Sequence, residues 1–126
     1  MRRRGSLSAM VVCLVPSIFV CAAMTIDGGR IVVAYQRASD VAAAAARDGA
    51  QEIVGIMEGS PRLDPVSADR SATSRVALLG HVGSATATEQ HVTVTVRTMV
   101  RLPLLSLVGI RTRSINVTRV ADAVMG

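Results

Sequence analysis

Residues 7–26 read LSAMVVCLVPSIFVCAAMTI, twenty consecutive positions without a charged side chain. As a helix rising about 1.5 Å per residue, this stretch is roughly 30 Å long, which matches the hydrocarbon core of a bilayer. Three arginines at positions 2–4 precede it and Asp27 follows it. Because cytoplasmic flanks are enriched in basic residues, the sequence predicts a single membrane span with residues 1–6 in the cytoplasm and the rest of the chain extracytoplasmic.

A cleaved secretory signal peptide is the alternative interpretation of this segment. It too has a basic flank and an apolar run, and the small residues of Cys21-Ala22-Ala23 would precede a cut ahead of Met24. Such a cut would release a small secreted binding protein. The uncharged run is long for a signal peptide and the sequence continues as a helix beyond it, so we prefer the permanent anchor.

The composition limits what the rest of the chain can do. Of 126 residues, 50% are hydrophobic, and the aromatic residues are one Phe and one Tyr with no Trp. One small domain with an aliphatic core is therefore expected beside the span. The net charge is +5, but the arginines beyond Asp27 are spread singly among acids, without interleaved aromatic residues. This pattern does not predict a nucleic-acid-binding surface.

No constellation of side chains in the sequence indicates catalysis. His81 and His91 lack a second ligand group at metal-binding spacing, apart from Glu89 two positions before His91. Motifs for a nucleophile elbow, a phosphate-binding loop, a zinc protease or a dinucleotide site do not occur. We therefore expect a non-enzymatic protein without a metal, a cofactor or a small-molecule substrate.

Residues 27–58 have the pattern of one long, alanine-rich helix that leaves the membrane. Positions spaced three and four apart form a continuous face of mostly small residues. The face comprises Ile31, Tyr35, Ala38, Ala42, Ala45, Gly49, Ile53 and Ile56, and we call its first six members the small-residue stripe. Because small residues let helices approach closely, the stripe is a candidate helix-packing interface with partner subunits. The alternative is an intramolecular face that the chain's own sheet covers.

The sequence Asp27-Gly28-Gly29-Arg30 stands at the membrane exit. Asp27 and Arg30 lie three residues apart, so they could pair across one helical turn. Each glycine lowers helix stability by about 1 kcal/mol. The pair of glycines therefore predicts a flexible or kinked elbow between the span and the long helix.

The remaining residues, 59–126, predict a small head that combines one helix with a sheet. Asp64 is a candidate N-cap with Pro65 at the first helical position, so a second helix should run from there to Gly80. Its apolar side would include Val76 and Leu79.

After the second helix the hydrophobic period changes from about 3.6 to 2. Residues 92–102 alternate Val and Leu with Thr and Arg, which predicts a long strand with one apolar face. A shorter strand before Glu89-Gln90 and another over 115–121 would complete a three-stranded antiparallel sheet. One of the two helices must cover its apolar face. Residues 104–110 form a short apolar connector. Two helices beside an antiparallel sheet make the predicted fold class α+β.

Six short segments follow one another in an order that is typical of one family. They are RGS (4–6), LVP (14–16), DGGR (27–30), QRASDVA (36–42), PLL (103–105) and VGI (108–110). The chain resembles the TadE/TadG-like proteins of the Tad (tight adherence) pilus systems, especially their short actinobacterial forms. This resemblance implies a pilin-like minor protein of the cytoplasmic membrane that helps to assemble a Flp-type pilus. Its implied partners are other pilus subunits, the membrane assembly platform and the lipid bilayer.

Many members of this family resemble prepilins, which a dedicated peptidase cuts after a glycine, with a glutamate five residues beyond the cut. The corresponding positions here are Gly5, Ser6 and Met10, so this candidate processing site lacks the glutamate. An intramembrane glutamate could pair with the new amino terminus of a neighbouring subunit, which Met10 cannot do. Processing at Gly5, cleavage near Met24 and retention of the whole N-terminus therefore stay open.

Overall fold

The computed structural model describes residues 3–123, except for the side chains of Arg3, Arg4 and Ile56. Arg2, part of the basic flank, lies outside the described residues. The elements are α1 (Arg3–Ala50), β1 (Ile53–Val54), β2 (Arg62–Leu63), α2 (Pro65–Leu78), β3 (Val82–Ala87), β4 (His91–Arg101) and β5 (Thr112–Asp122). Two 3₁₀ turns, Ile56–Glu58 and Leu105–Val108, lie in the connections. The predicted α+β fold, with a long helix, a second helix and a three-stranded antiparallel sheet, is confirmed.

Helix α1 is one continuous element of 48 residues that contains both the apolar stretch and the alanine-rich stretch. Pro16 lies inside it, which apolar helices tolerate because nearby groups satisfy the freed backbone. The Ser17 hydroxyl donates a hydrogen bond of 2.7 Å to the Cys13 carbonyl oxygen. The Thr25 hydroxyl donates one of 2.9 Å to the Cys21 carbonyl oxygen. The hydroxyls of Ser17 and Thr25 are thus satisfied by their own helix.

The structure corrects two predictions about α1. Gly28 and Gly29 do not form an elbow, because contacts with the head hold the helix just before and just after them. That packing outweighs a glycine penalty of about 1 kcal/mol each. The helix also ends at Ala50 rather than at residue 58, and the antiparallel pair β1–β2 takes up part of the remainder. Gly55 and Gly59, with φ of 79° and 73°, provide the left-handed turns that connect these two strands.

Helix α2 begins where the sequence predicts. The Asp64 carboxylate accepts hydrogen bonds from the Val66 amide at 3.2 Å and from the Ser67 hydroxyl at 2.6 Å. Pro65 occupies the first turn, where its missing N–H is no loss. The hydrogen bond from Ser67 is the main cause that holds the pKa of Asp64 below its ordinary value.

The apolar side of α2 differs from the predicted one at its end. Ala68, Ala72 and Val76 are buried at successive intervals of four residues. Leu79 is the C-cap and stays 42% exposed, because the chain turns away at Gly80 with a φ of 75°. The packing face of α2 is therefore narrower and made of smaller side chains than the sequence predicts.

Strand β4 is the centre of the three-stranded sheet. It pairs with β3 over residues 92–97 and with β5 over its whole length. The predicted alternation is confirmed, since Val92, Val94 and Val96 are fully buried while Arg97 is exposed. Residues 98–101 extend beyond β3, so this end of β4 has no strand neighbour on that side.

Both helices cover the apolar face of the sheet and share one aliphatic core with it. Gly49, near the end of α1, lies against Val92 at the start of β4. Asp27, further back along α1, binds the chain just after β4 ends, at Leu104 and Leu105. Strand β4 therefore runs back along α1, and the β4–β5 connection lies at the end of the head nearest the apolar stretch.

Candidate functional site

The first half of α1 has an apolar surface that no other part of the described chain covers. Residues 5–22 are all exposed. The most apolar eighteen residues of this helix carry no buried side chain. By length and composition, α1 is the one helix among the described residues that could cross a membrane. The segment that the sequence identifies as a span is thus available to a bilayer.

The candidate processing positions lie within this exposed half. Gly5, Ser6 and Met10 belong to the first turns of α1, and the alternative cut ahead of Met24 also falls inside continuous helix. Cys13 and Cys21 are both exposed and unpaired with each other. Cleavage after Gly5, cleavage ahead of Met24 and retention of the whole N-terminus remain alternative predictions.

The small-residue stripe divides into a buried part and an outer part. Its buried members are Ala38, Ala42, Ala45 and Gly49. A Cβ added at Gly49 would stand 2.9 Å from the Ala68 carbonyl oxygen and 3.1 Å from a methyl of Val92. The chain's own α2 and β4 therefore occupy this part of the stripe, as in the intramolecular alternative. In this fold, a partner subunit has no access to these four residues.

The other two members of the stripe lie nearer the membrane exit, where the head covers less of α1. Ile31 is half-buried, and Tyr35 is 44% exposed. Val32 is three residues before Tyr35, so the two side chains are neighbours on the helix surface, and Val32 is 55% exposed. We call Val32 and Tyr35 the outer patch. The outer patch is apolar surface of the alanine-rich helix that the head leaves about half exposed, and the neighbouring Val33 is 46% exposed.

Asp27 is a fully buried carboxylate at the junction between the apolar stretch and the head, with 0% exposure. Its Oδ2 accepts hydrogen bonds from the backbone amides of Leu105 at 2.7 Å and of Leu104 at 3.1 Å. Its Oδ1 has no hydrogen-bond partner in the structure. Because backbone amides at the start of a helical turn attract an anion, this carboxylate fixes the 3₁₀ turn Leu105–Val108 against α1.

This contact replaces the predicted pair between Asp27 and Arg30. Asp27 lies on the same face of α1 as Ile31 and Ala38 and points into the head, whereas Arg30 is exposed. The true partner is 77 residues away in sequence, and sequence spacing within one helix cannot reveal it. One signal exists: Leu104 starts a turn but has no side-chain capping group, so that turn needs an acceptor from elsewhere.

A polar cleft at the far end of the head is lined by residues of α1 and α2 and of the chain just after α1. Asp48 forms an ion pair of 3.2 Å with Arg75, and the Ser71 hydroxyl donates a 2.7 Å hydrogen bond to Glu52. These groups satisfy one another and fasten α2 to the end of α1. Within the described range, no cluster of three His, Cys, Asp or Glu side chains could hold a metal ion.

The similarity of this chain to known proteins lies in α1. Residues 5–52 match a family model described as putative Flp pilus-assembly TadE/G-like. The match covers nearly all of α1, including the apolar stretch, the membrane exit and the small-residue stripe, but not the sheet. The resemblance seen in the sequence is thereby confirmed over residues 5–52. No curated protein and no solved structure matches the chain.

Proposed function

We propose that this chain, a TadE/G-like protein over residues 5–52, is a single-pass membrane protein that takes part in assembling a Flp-type pilus. The observation that carries the proposal is the continuity of α1. Its first half is apolar and uncovered, while its second half is built into the head without a break. A bilayer would bury the first half, and the head would then stand directly on the membrane surface.

The free energy of the exposed apolar side chains supports anchoring. Eleven large hydrophobic side chains in residues 7–26 are each between 46% and 71% exposed. Full burial of such a side chain is worth about 1.5–3 kcal/mol. Burying the remaining exposed half of eleven would release roughly 10–20 kcal/mol. This gain is as large as the whole stability of a typical domain, so the helix belongs in lipid rather than in water.

The orientation that we propose places the N-terminus in the cytoplasm and the head outside the cytoplasmic membrane. The basic flank at positions 2–4 supports it, because positive charge is retained on the cytoplasmic side. The acids of the chain all lie beyond the apolar stretch. The head is then on the outer side of the cytoplasmic membrane, the side on which a pilus extends.

Partner subunits and the assembly platform would contact α1 through its exposed surface. In the membrane this surface is the apolar stretch itself, and above the membrane it is the outer patch of Val32 and Tyr35. The buried stripe does not take part, because α2 and the sheet fill it. Helix packing between subunits therefore uses the side of α1 that faces away from the head.

Photo-cross-linking in the native host tests this partner surface. A photoreactive phenylalanine analogue at Tyr35 should capture a pilus or platform subunit, because the side chain is half-exposed beside the span. The matched control is the same analogue at Val66, which is 66% exposed on α2, away from the span. Tyr35→Ala should also reduce the amount of complex recovered. Equal capture from both positions, or a normal yield of complex with Tyr35→Ala, would remove the outer patch from the proposal.

Intact-mass measurement of membrane and culture-fluid fractions tests the anchoring. A membrane-bound species that retains residues 1–5 would identify a permanent anchor and an assembly factor. A membrane-bound species that starts at Ser6 would identify pilin-type processing despite Met10. A soluble species that starts near Met24 would refute the single-pass proposal and establish the secreted alternative.

A further inference from the structure

The end of the head nearest the span has an apolar loop that the chain leaves uncovered. Leu107, Val108 and Ile110 are 87%, 68% and 51% exposed, although they follow one another closely. We call residues 98–113, which comprise the end of β4, this loop and the start of β5, the base of the head. Clustered exposed apolar side chains of this kind mark a contact surface.

The position of this loop along α1 is fixed by Asp27. The carboxylate binds the amides of Leu104 and Leu105, and Asp27 comes one residue after Ile26, the last residue of the uncharged stretch. When the stretch lies in a bilayer, Asp27 is at its boundary. The loop that Asp27 holds is therefore at the level of the lipid headgroups.

The charges around the base differ from those of the rest of the head. Five exposed arginines lie there or on the adjoining part of α1: Arg30, Arg37, Arg101, Arg111 and Arg113. Three of them, Arg30, Arg37 and Arg101, line one groove between α1 and the free end of β4, together with apolar side chains such as Val33 and Met99. In residues 27–37 and 98–113 the one acid is Asp27, which is buried, and the next acid along α1 is the exposed Asp40. The base thus combines apolar side chains with uncompensated positive charge.

We propose that the base of the head docks onto the bilayer surface and binds anionic phospholipids. Leu107, Val108 and Ile110 enter the interface, and the arginines of the base bind headgroup phosphates. The inference rests on the proposed single-pass anchoring and adds to it a second membrane contact made by the sheet. Apolar side chains beside basic ones are the combination that binds proteins to anionic lipid surfaces.

The loop is already shaped for this contact. The Ser106 hydroxyl donates a 2.6 Å hydrogen bond to the Pro103 carbonyl oxygen, and the Ile110 amide donates to the Leu105 carbonyl oxygen at 3.1 Å. Gly109, with a φ of 96°, closes the 3₁₀ turn in the left-handed region. Because these bonds and Asp27 order the loop in advance, docking requires little further ordering.

Tryptophan fluorescence in vesicles tests the docking, because the chain has no Trp of its own. The full chain with Leu107→Trp is reconstituted in phosphatidylglycerol vesicles, with and without brominated acyl chains. Docking predicts blue-shifted emission and quenching by the brominated lipid. Phe19→Trp, 71% exposed in the apolar stretch, reports insertion of α1, and Val66→Trp on α2 reports a part of the head away from the base. Each of these three positions is exposed, so the fold should accept the new side chain.

The three probes separate the two proposals. Quenching at positions 19 and 107 but not at 66 supports docking. Quenching at 19 alone leaves the anchor intact and overturns the docking. Quenching at none of them overturns the anchoring and the docking with it. Quenching at all three means that the head lies unspecifically on the lipid, which also overturns the docking proposed for the base.

The arginines are tested by lipid charge. Arg111→Gln and Arg113→Gln, each in the Leu107→Trp background, should weaken docking to phosphatidylglycerol vesicles about fivefold per arginine removed. Arg97→Gln is the matched control, because Arg97 is exposed in the same strand as Arg101 but is hydrogen-bonded to Asn116. Docking should also be weaker in phosphatidylcholine. Equal quenching in both lipids would refute the selection of anionic headgroups.

Discussion

Removing the Asp27 carboxylate should release the base of the head from α1. In Asp27→Ala the amides of Leu104 and Leu105 lose their acceptor, and an unsatisfied buried amide costs about 1–3 kcal/mol. Part of this is offset, because the buried and unpartnered Oδ1 is removed as well. We expect a net loss of roughly 2–4 kcal/mol. Asp27→Asn keeps one acceptor oxygen without its charge, so it should lose about half as much.

Limited trypsin digestion of the full chain in detergent micelles measures this release. Arg101 and Arg111 border the loop, and their cleavage rate follows the population of the opened form. A loss of 2–4 kcal/mol should raise that rate about 30- to 1000-fold, since every 1.4 kcal/mol is a factor of ten. Asp40→Ala, which removes an exposed acid from the same helix, is the control and should change it little. If Asp27→Ala is cleaved no faster than Asp40→Ala, the capping role of Asp27 is refuted.

Two further predictions concern the contacts of α1 and α2. Gly49→Ala should destabilise the head by about 1–2 kcal/mol in chemical denaturation, because overpacking at 2.9 Å from the Ala68 carbonyl oxygen outweighs the gain in helix propensity. Gly28→Ala is the control and should not destabilise the head, because the added methyl meets no atom within 4 Å. Equal effects of the two substitutions would contradict the close packing at Gly49. The lowered pKa of Asp64 means that its carboxylate stabilises the fold above its ordinary pKa and that this contribution is lost as the pH falls through the lower, folded value. Asp64→Asn should therefore flatten the acid limb of the stability–pH curve measured by circular dichroism, and an unchanged limb would contradict the capping contribution.

The parts of the fold that could be predicted are those specified by neighbouring residues. The apolar stretch is defined by its own length and flanks, and Asp64-Pro65 carries the complete start signal of α2. The alternation in β4 is likewise local, and it identifies the buried valines correctly. In each of these cases the physical cause, a hydrophobic period or a cap, acts over a few residues.

The errors arise where contacts outside a helix decide where it ends, how it continues or what covers it. The end of α1 at Ala50 depends on β1 and β2, whose pairing joins residues on either side of a 3₁₀ turn. The unbroken continuation of the helix through Gly28 depends on contacts with the head rather than on helix propensity. The alanine composition of α1 predicts close packing but not its partner, because a second subunit and the chain's own sheet would both select small residues.

The burial of the stripe bears on how the proposed assembly role would work. Two contacts join α1 to the head. Gly49 packs closely against Ala68 at one end, and Asp27 accepts a hydrogen bond from the Leu105 amide at the other. These two contacts hold the head along the second half of α1, so a rotation of the helix in the membrane must also move the head. A partner bound to the exposed apolar stretch would therefore determine the orientation of the head. On this reasoning, substitutions at Asp27 should uncouple the head from the rotation of the helix, whereas cross-linking from Tyr35 should persist because Tyr35 belongs to the helix itself.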